Sequence, residues 1–265
     1  MRFSNYHTHT SFCDGNDRTE EIVIKAIQLG CPEIGFSGHS FTWFDQSYCM
    51  SPKVIENYKR EIISLKEKYK GQIKILLGIE QDFYSDEPVK DFDYVIGSVH
   101  YVIKDGEYLP VDENRQMLTD AAKNHYGGDF YAFAEDYFET VGRVYEKTDC
   151  NIIGHFDLFG KFNGCDELFD TKHPRYRRAV SRALERLKDV PALFEVNMGG
   201  MIKGYKKEPY PQRFILEEIN AFGGKVILSS DCHDKETLLY GFDEAYRYLL
   251  DCGFAGERIC RSMNL

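Results

Sequence analysis

Six of the eight histidines lie at or just beyond the carboxyl end of a short apolar segment. Two of them form His7-Thr8-His9, and alternation along an extended chain places both imidazoles on one side. Asp231 and His233 repeat this spacing with a carboxylate in place of one imidazole. Imidazole and carboxylate groups suit zinc, manganese or iron, whereas a thiolate site would need paired cysteines. The residue types therefore predict a metal centre.

The other candidate ligands follow further apolar segments of the same kind. They are His39, Glu80, His100 and His155, while Glu195 and Asn197 end a sixth segment. In a parallel α/β barrel the carboxyl ends of the strands open on one face, where active sites are built. About eight such nitrogen and oxygen donors exceed what one four-coordinate zinc ion uses. We therefore expect two or three ions.

Composition limits the possible classes of protein. The 265 residues are 43% hydrophobic, which is enough for a substantial core, and they carry a formal net charge of −10. This charge disfavours general binding to nucleic acid or to anionic membranes. No apolar run approaches the roughly 20 residues that span a bilayer, and no signal peptide is apparent, so we expect a cytoplasmic protein. The eight cysteines contain no CxxC pair and are predicted to be free thiols.

Short apolar segments alternate with helical patterns along the chain, as in folds with parallel crossovers. Strands are predicted at 3–9, 34–38, 73–79, 94–99, 151–154, 193–196 and 225–228, with a hairpin turning at Asp105-Gly106. Helices are predicted at about 19–29, 52–70, 113–124, 130–147, 174–189 and 211–222, and one more follows the last strand. We interpret residues 1–265 as a single α/β barrel-like domain, with an open doubly wound sheet as the alternative.

Six motifs occur in an order that resembles the PHP (polymerase and histidinol phosphatase) family, and within it the histidinol-phosphatase branch. They are His7-Thr8-His9, Gly38-His39, Gly78-Ile79-Glu80, Gly97-Ser98-Val99-His100, Gly154-His155 and Ser230-Asp231-Cys232-His233. The resemblance runs from residue 6 to about residue 245. It implies a distorted (β/α)7 barrel with a trinuclear metal centre at the strand ends.

The resemblance also implies a set of ligands for each metal. The first ion would take His7, His9, Glu80 and Asp231, and the second would take Glu80 as a bridge with His100 and His155. The third would take His39 and His233, with Asp14 where many relatives have a histidine. Asp231, His233 and Glu80 are the expected catalytic residues. Members of this branch tend to have arginines where this chain has Lys203 and Lys206.

The resemblance, together with the chemistry of a metal cluster, predicts a metal-dependent phosphomonoesterase. A metal-bridging hydroxide would attack phosphorus in line, and Lys161, Lys203 and Lys206 are the candidate phosphate contacts. The expected reaction is hydrolysis of L-histidinol phosphate to L-histidinol in histidine biosynthesis. The alternatives are a related phosphoesterase for a nucleotide, a sugar phosphate or phosphotyrosine, and a metal-binding module without catalysis. Metal-dependent C–N hydrolysis is disfavoured because the expected ligand lysine is missing.

Overall fold

The computed structural model describes residues 2–263. Within them, nine strands are assigned: β1 (Glu33–Phe36), β2 (Lys74–Asp82), β3 (Tyr94–Ser98), β4 (Tyr101–Lys104), β5 (Glu107–Pro110), β6 (Ile152–Ile153), β7 (Leu193–Asn197), β8 (Val226–Ser229) and β9 (Ile259–Cys260). Seven of them form one curled parallel sheet in the order β1-β2-β3-β6-β7-β8-β9. The remaining two, β4 and β5, form an antiparallel hairpin. This architecture confirms the predicted α/β barrel-like fold.

The helices connect the parallel strands and cover the sheet. In the described part of the chain they are α1 (Thr19–Gln28), α2 (Pro52–Lys68), α3 (Arg115–Tyr126), α4 (Phe130–Val141), α5 (Val144–Thr148), α6 (Pro174–Leu187), α7 (Gly199–Ile202), α8 (Arg213–Ala221) and α9 (Phe242–Asp251). No helix among residues 2–263 has the length and apolar character needed to cross a membrane.

The predicted first strand, 3–9, is the main departure from the expected elements. It is extended, but it makes only isolated parallel bridges, from Asn5 to Ile34 in β1 and from Thr8 to Cys232 beyond β8. Because its two ends pair with different neighbours, neither side forms a continuous ladder. The seventh strand of the sheet is instead β9, which the sequence pattern did not predict. The segment still links the two sides of the sheet and carries His7 and His9 to the strand ends.

Helix α2 shows how local sequence fixes an element beside the site. The Ser51 side chain accepts a hydrogen bond from the Val54 amide, and proline occupies the first helical turn, as expected at a helix start. One face of the helix is buried, and its Tyr58 hydroxyl donates to the Gly78 carbonyl of β2 at 2.9 Å. This hydrogen bond joins the helix to the strand that carries Glu80.

Two turns between β3 and β6 are set by backbone conformation and close packing. The hairpin turns at Asp105 and Gly106 as predicted, and both have positive φ, as a two-residue hairpin turn favours. The helix predicted at 130–147 is two helices, which are separated by Gly142 and its neighbour. A Cβ atom on Gly142 would lie 3.1 Å from the Ala183 Cα atom of α6, so the close approach of α6 requires a small residue there.

Candidate metal centre

All nine predicted metal ligands converge at the carboxyl ends of the parallel strands, around and beneath a cavity of about 210 Å³. They come from the N-terminal segment, from the chain beyond β1, β3, β6 and β8, and from β2 itself. These side chains are His7, His9, Asp14, His39, Glu80, His100, His155, Asp231 and His233. His7 and His9 are fully buried below the cavity, and the other seven line its wall.

Glu80 lies at the centre of the cluster and is 1% exposed. Its Oε2 atom is 2.8 Å from His39 Nδ1 and 3.2 Å from His7 Nε2. Its Oε1 atom is 2.9 Å from His155 Nε2 and 3.4 Å from His100 Nε2, and it accepts a hydrogen bond from a serine hydroxyl. Because the two oxygens face different pairs of imidazoles, the carboxylate has the position expected of a bridge.

Asp14 and Asp231 form two further contact groups. Asp14 Oδ2 is 3.0 Å from His233 Nε2 and 3.7 Å from His39 Nε2, and its Oδ1 is 3.4 Å from His9 Nδ1. Asp231 Oδ1 is 3.2 Å from His9 Nε2 and 3.6 Å from His233 Nδ1. Each ring nitrogen of His9 therefore faces a different carboxylate.

Four sets of side chains have the composition of metal sites, and within each set the donor atoms all lie within 4.8 Å of one another. These are His9, Asp14, His39 and His233; His7, His9 and Asp231; His7, Glu80 and His155; and His39, Glu80 and His100. The sets overlap more than the ligand sets implied by the resemblance, because His7, His9 and His39 each belong to two of them.

The donor chemistry fits bound divalent cations. Three of the converging atoms are His7 Nε2, His9 Nε2 and Glu80 Oε2, and all three are buried. Although they lie near other ring nitrogens or carboxylate oxygens, none of them makes a hydrogen bond of suitable geometry within residues 2–263. Leaving such atoms unpaired costs free energy, typically about 1–3 kcal/mol each. Each atom can carry a lone pair, and imidazole with carboxylate is a ligand combination that zinc, manganese and iron accept. The cluster therefore fits divalent metal ions.

Charge coupling in the cluster shifts the pKa values of its members in opposite directions. Burial lowers the pKa of His9 to about 3, with help from the neighbouring imidazoles of His233 and His39. Burial also lowers the pKa of His39, but the carboxylates of Glu80 and Asp14 outweigh it and raise that pKa to about 9. The imidazoles hold the pKa of Glu80 well below its usual range despite burial. The carboxylates are thus ionised and able to bind a cation.

Two carboxylates that the sequence analysis left without a role orient the histidines. Glu195 Oε1 is 2.5 Å from His7 Nδ1, on the opposite side of the ring from Glu80. Asp82 Oδ2 is 3.0 Å from His100 Nδ1 in the same arrangement. Such outer carboxylates fix the ring orientation and tautomer of ligating histidines. Asp82 lies two residues after Glu80 on the same strand, so the spacing indicates that its side chain lies on the face of the site, although not that it contacts His100.

The three candidate phosphate lysines have different positions. Lys161 and Lys203 both line the cavity. Lys161 Nζ donates to the Asp112 carbonyl at 2.6 Å and is 3.1 Å from Asp112 Oδ2. Lys206 is not among the cavity-lining residues, and its Nζ lies 3.4 Å from the Gly160 carbonyl oxygen. Its position does not support the predicted phosphate contact.

Comparisons with known proteins agree with this geometry. The model of the PHP domain family matches residues 5–199. A probable histidinol-phosphatase of Schizosaccharomyces pombe is 28% identical over 269 residues, which cover 93% of this chain and 86% of that protein. The histidinol-phosphatase of Bacillus subtilis is 26% identical over 263 residues, which cover 89% of this chain and 96% of that protein.

A solved structure shows the same fold. It is the crystal structure of histidinol phosphate phosphatase from Lactococcus lactis in complex with zinc, L-histidinol and phosphate. Its TM-score is 0.70 at 20% sequence identity, with 96% of this chain and 95% of that chain covered. Since the family model spans well over half of the sequence, the chain belongs to the PHP domain family.

Proposed function

We propose that this protein is a metal-dependent phosphomonoesterase that hydrolyses L-histidinol phosphate to L-histidinol and phosphate in histidine biosynthesis. The observation that carries the proposal is a cluster of nine candidate ligands around and beneath a cavity whose wall also holds two lysines. Relatives named for this activity match the chain over about nine-tenths of its length, which supports the choice of substrate. We also propose that residues 1–265 form one domain, since the ligands come from positions 7 to 233.

The proposed metal centre holds two or three ions of zinc, manganese or iron. With the ligand sets that the resemblance implies, the first ion would be held by His7, His9, Glu80 and Asp231, the second by Glu80, His100 and His155, and the third by Asp14, His39 and His233. The position of Glu80 between two pairs of imidazoles supports its role as the bridge. When bound, such ions lower the pKa of a coordinated water from about 15.7 towards 7 and neutralise charge on the phosphoryl group.

The remaining steps are assigned to side chains of the cavity wall. Lys161 and Lys203 bind the phosphate, and Lys161 stays charged because Asp112 raises its pKa against the effect of burial. Asp231 is partly exposed to the cavity, and neighbouring imidazoles keep its pKa well below the usual range despite burial. It is therefore ionised, as a metal ligand must be, and Asp231 or a neighbouring imidazole is the proposed group that assists proton transfer. His233 lies beside it, with Nδ1 3.6 Å from Asp231 Oδ1, and is the neighbouring imidazole proposed for the same role.

Free thiols support the proposed cytoplasmic location. All eight cysteines lie within the described residues, and none of them forms a disulfide bond there. Free thiols are characteristic of reducing compartments. The same proposal includes no nucleic-acid and no membrane partner, in line with the net charge of −10.

The test is kcat/KM for L-histidinol phosphate, p-nitrophenyl phosphate, a nucleotide and a sugar phosphate under one metal condition. We expect L-histidinol phosphate to exceed each of the others at least tenfold. The aryl phosphate has the better leaving group, so this preference would show binding energy from the amino-imidazole portion used in the transition state. The Glu80→Gln variant, purified in parallel, controls for contaminating phosphatases. A tenfold preference for a nucleotide or sugar phosphate would refute the substrate, and no phosphatase activity after metal loading would refute the function.

A further inference from the structure

The cavity contains two carboxylates that the proposed metal-ligand sets do not use. Asp112 and Glu113 lie two and three residues after β5 and line the cavity together with Tyr101 and Lys161. Glu113 is exposed, whereas the Asp112 side chain is 26% exposed. This part of the cavity wall thus adds acidic and aromatic side chains to the imidazoles and lysines of the cavity.

Asp112 has one oxygen engaged and one available. Its Oδ2 lies 3.1 Å from Lys161 Nζ, and the same ammonium donates to its backbone carbonyl at 2.6 Å. No donor among residues 2–263 forms a hydrogen bond with Asp112 Oδ1. Burial raises the pKa of Asp112, but the Lys161 ammonium outweighs it and keeps the carboxyl ionised. An ionised, half-buried oxygen on a cavity wall is a favourable acceptor for a cation, because surrounding solvent screens it incompletely.

We infer that Asp112 binds the ammonium group of the substrate and makes the enzyme selective for phosphate monoesters that carry a nearby cation. This inference rests on the proposed function, because Lys161 is there a phosphate contact. The ion pair of Lys161 and Asp112 presents a positive and a negative group side by side on one wall. A phosphate ester with an ammonium two carbons from its ester oxygen presents the complementary pair. Each charge of the substrate then meets its opposite.

A simpler role for Asp112 is to hold Lys161 in place. That role predicts equal losses for every phosphate ester, since only the phosphate contact would be disturbed. Ammonium binding predicts a loss confined to substrates that carry the ammonium. The two roles are separated by a pair of substrates that differ only in this group.

The experiment compares Asp112→Asn with the wild type on L-histidinol phosphate and on its analogue without the amine, 3-(imidazol-4-yl)propyl phosphate. We expect kcat/KM for the amine substrate to fall on the order of 10- to 100-fold, as for loss of a charge-assisted contact, and that for the analogue to change less than threefold. The inhibition constant of inorganic phosphate and the metal content should stay near their wild-type values. Glu113→Gln is the matched control, with a smaller loss expected at an exposed carboxylate.

Equal losses on both substrates, or a weaker inhibition by phosphate that matches them, would overturn the inference and leave Asp112 as a support for Lys161. A larger amine-specific loss in Glu113→Gln than in Asp112→Asn would also overturn it. If the wild type hydrolyses the other esters but not L-histidinol phosphate, the result refutes the proposed substrate, on which the inference rests. If the wild type hydrolyses L-histidinol phosphate and Asp112→Asn loses activity equally on both substrates, the inference alone is overturned.

Discussion

Glu80→Gln is the substitution expected to do the most damage to the proposed metal centre. Glutamine keeps the shape of the side chain and can still accept the hydrogen bond from the serine hydroxyl, but it removes the negative charge. Four imidazoles lie within 3.4 Å of the Glu80 oxygens. Together with Glu80 they form two donor sets, one with His7 and His155 and one with His39 and His100. A bridging role therefore means that one substitution weakens two ion sites.

The expected magnitude follows from the charge that is lost. Two unit charges about 4 Å apart interact by about 4 kcal/mol at an effective dielectric constant of about 20, which corresponds to roughly a thousandfold in affinity. We expect Glu80→Gln to lose more than one ion per chain and to lower kcat/KM at least a thousandfold. His233→Asn is the matched control, because His233 belongs to one donor set only, and it should lose at most one ion.

The assay is elemental analysis of protein purified without chelator, followed by kinetics at saturating added metal. Circular dichroism and the melting temperature of the metal-free proteins show whether each variant is folded. If Glu80→Gln retains the wild-type metal content and keeps its activity within tenfold, the bridge is wrong. A folded wild type that binds one ion or none, unchanged by added metal, refutes the multinuclear centre itself.

Four further outcomes are expected. Lys203→Ala should leave the metal content intact and lower kcat/KM ten- to a hundredfold, as for the loss of one charge-assisted phosphate contact, and unchanged kinetics would place that lysine outside the phosphate site. Glu195→Gln should weaken metal affinity 10- to 100-fold, measured by competition with a chelator, because its carboxylate orients a histidine ring. Phe138→Ala, in the fully buried core, should lower the free energy of unfolding in urea by about 3–5 kcal/mol. Burial raises the pKa of Asp17, but its hydrogen bonds with Lys235 outweigh this and lower the pKa. Asp17→Asn should therefore reduce the melting temperature at pH 7, and this difference should shrink as the pH falls below about 4 and vanish only below the lowered pKa.

The ligands could be predicted from sequence because strand ends mark them. Parallel strands place their carboxyl ends on one face, so a histidine just beyond each apolar segment needs no tertiary information to be assigned to that face. His100 and His155 lie two residues after β3 and β6, and the structure brings both within 3.4 Å of Glu80. The family resemblance, confirmed by the match to the PHP domain model, added the proposed pairing of these residues with individual ions, which stays a prediction.

Other features depended on contacts that a pattern of apolar residues does not encode. Strand β9 has only two residues, Ile259 and Cys260, which are too few to show alternation. The segment 3–9 has the composition of a strand, but its neighbours along its length differ, so regular pairing fails. Lys161 and Lys206 look alike in sequence, and only the fold shows that one faces the cavity and the other does not. Contacts between residues far apart in the sequence therefore decide which side chains line the cavity.

The replacement of a histidine by Asp14 alters the charge of the third group more than its geometry. The loop that carries Asp14 is held by a hydrogen bond from the Asn16 amide to the His233 carbonyl, at 2.8 Å, and by the pairing of Asp17 with Lys235. These contacts place Asp14 Oδ2 3.0 Å from His233 Nε2. A carboxylate adds one negative charge to the group, and it is a harder ligand than imidazole. In the proposed centre we therefore expect the third site, with Asp14, to accept a harder divalent ion, such as manganese, more readily than a site of three imidazoles would.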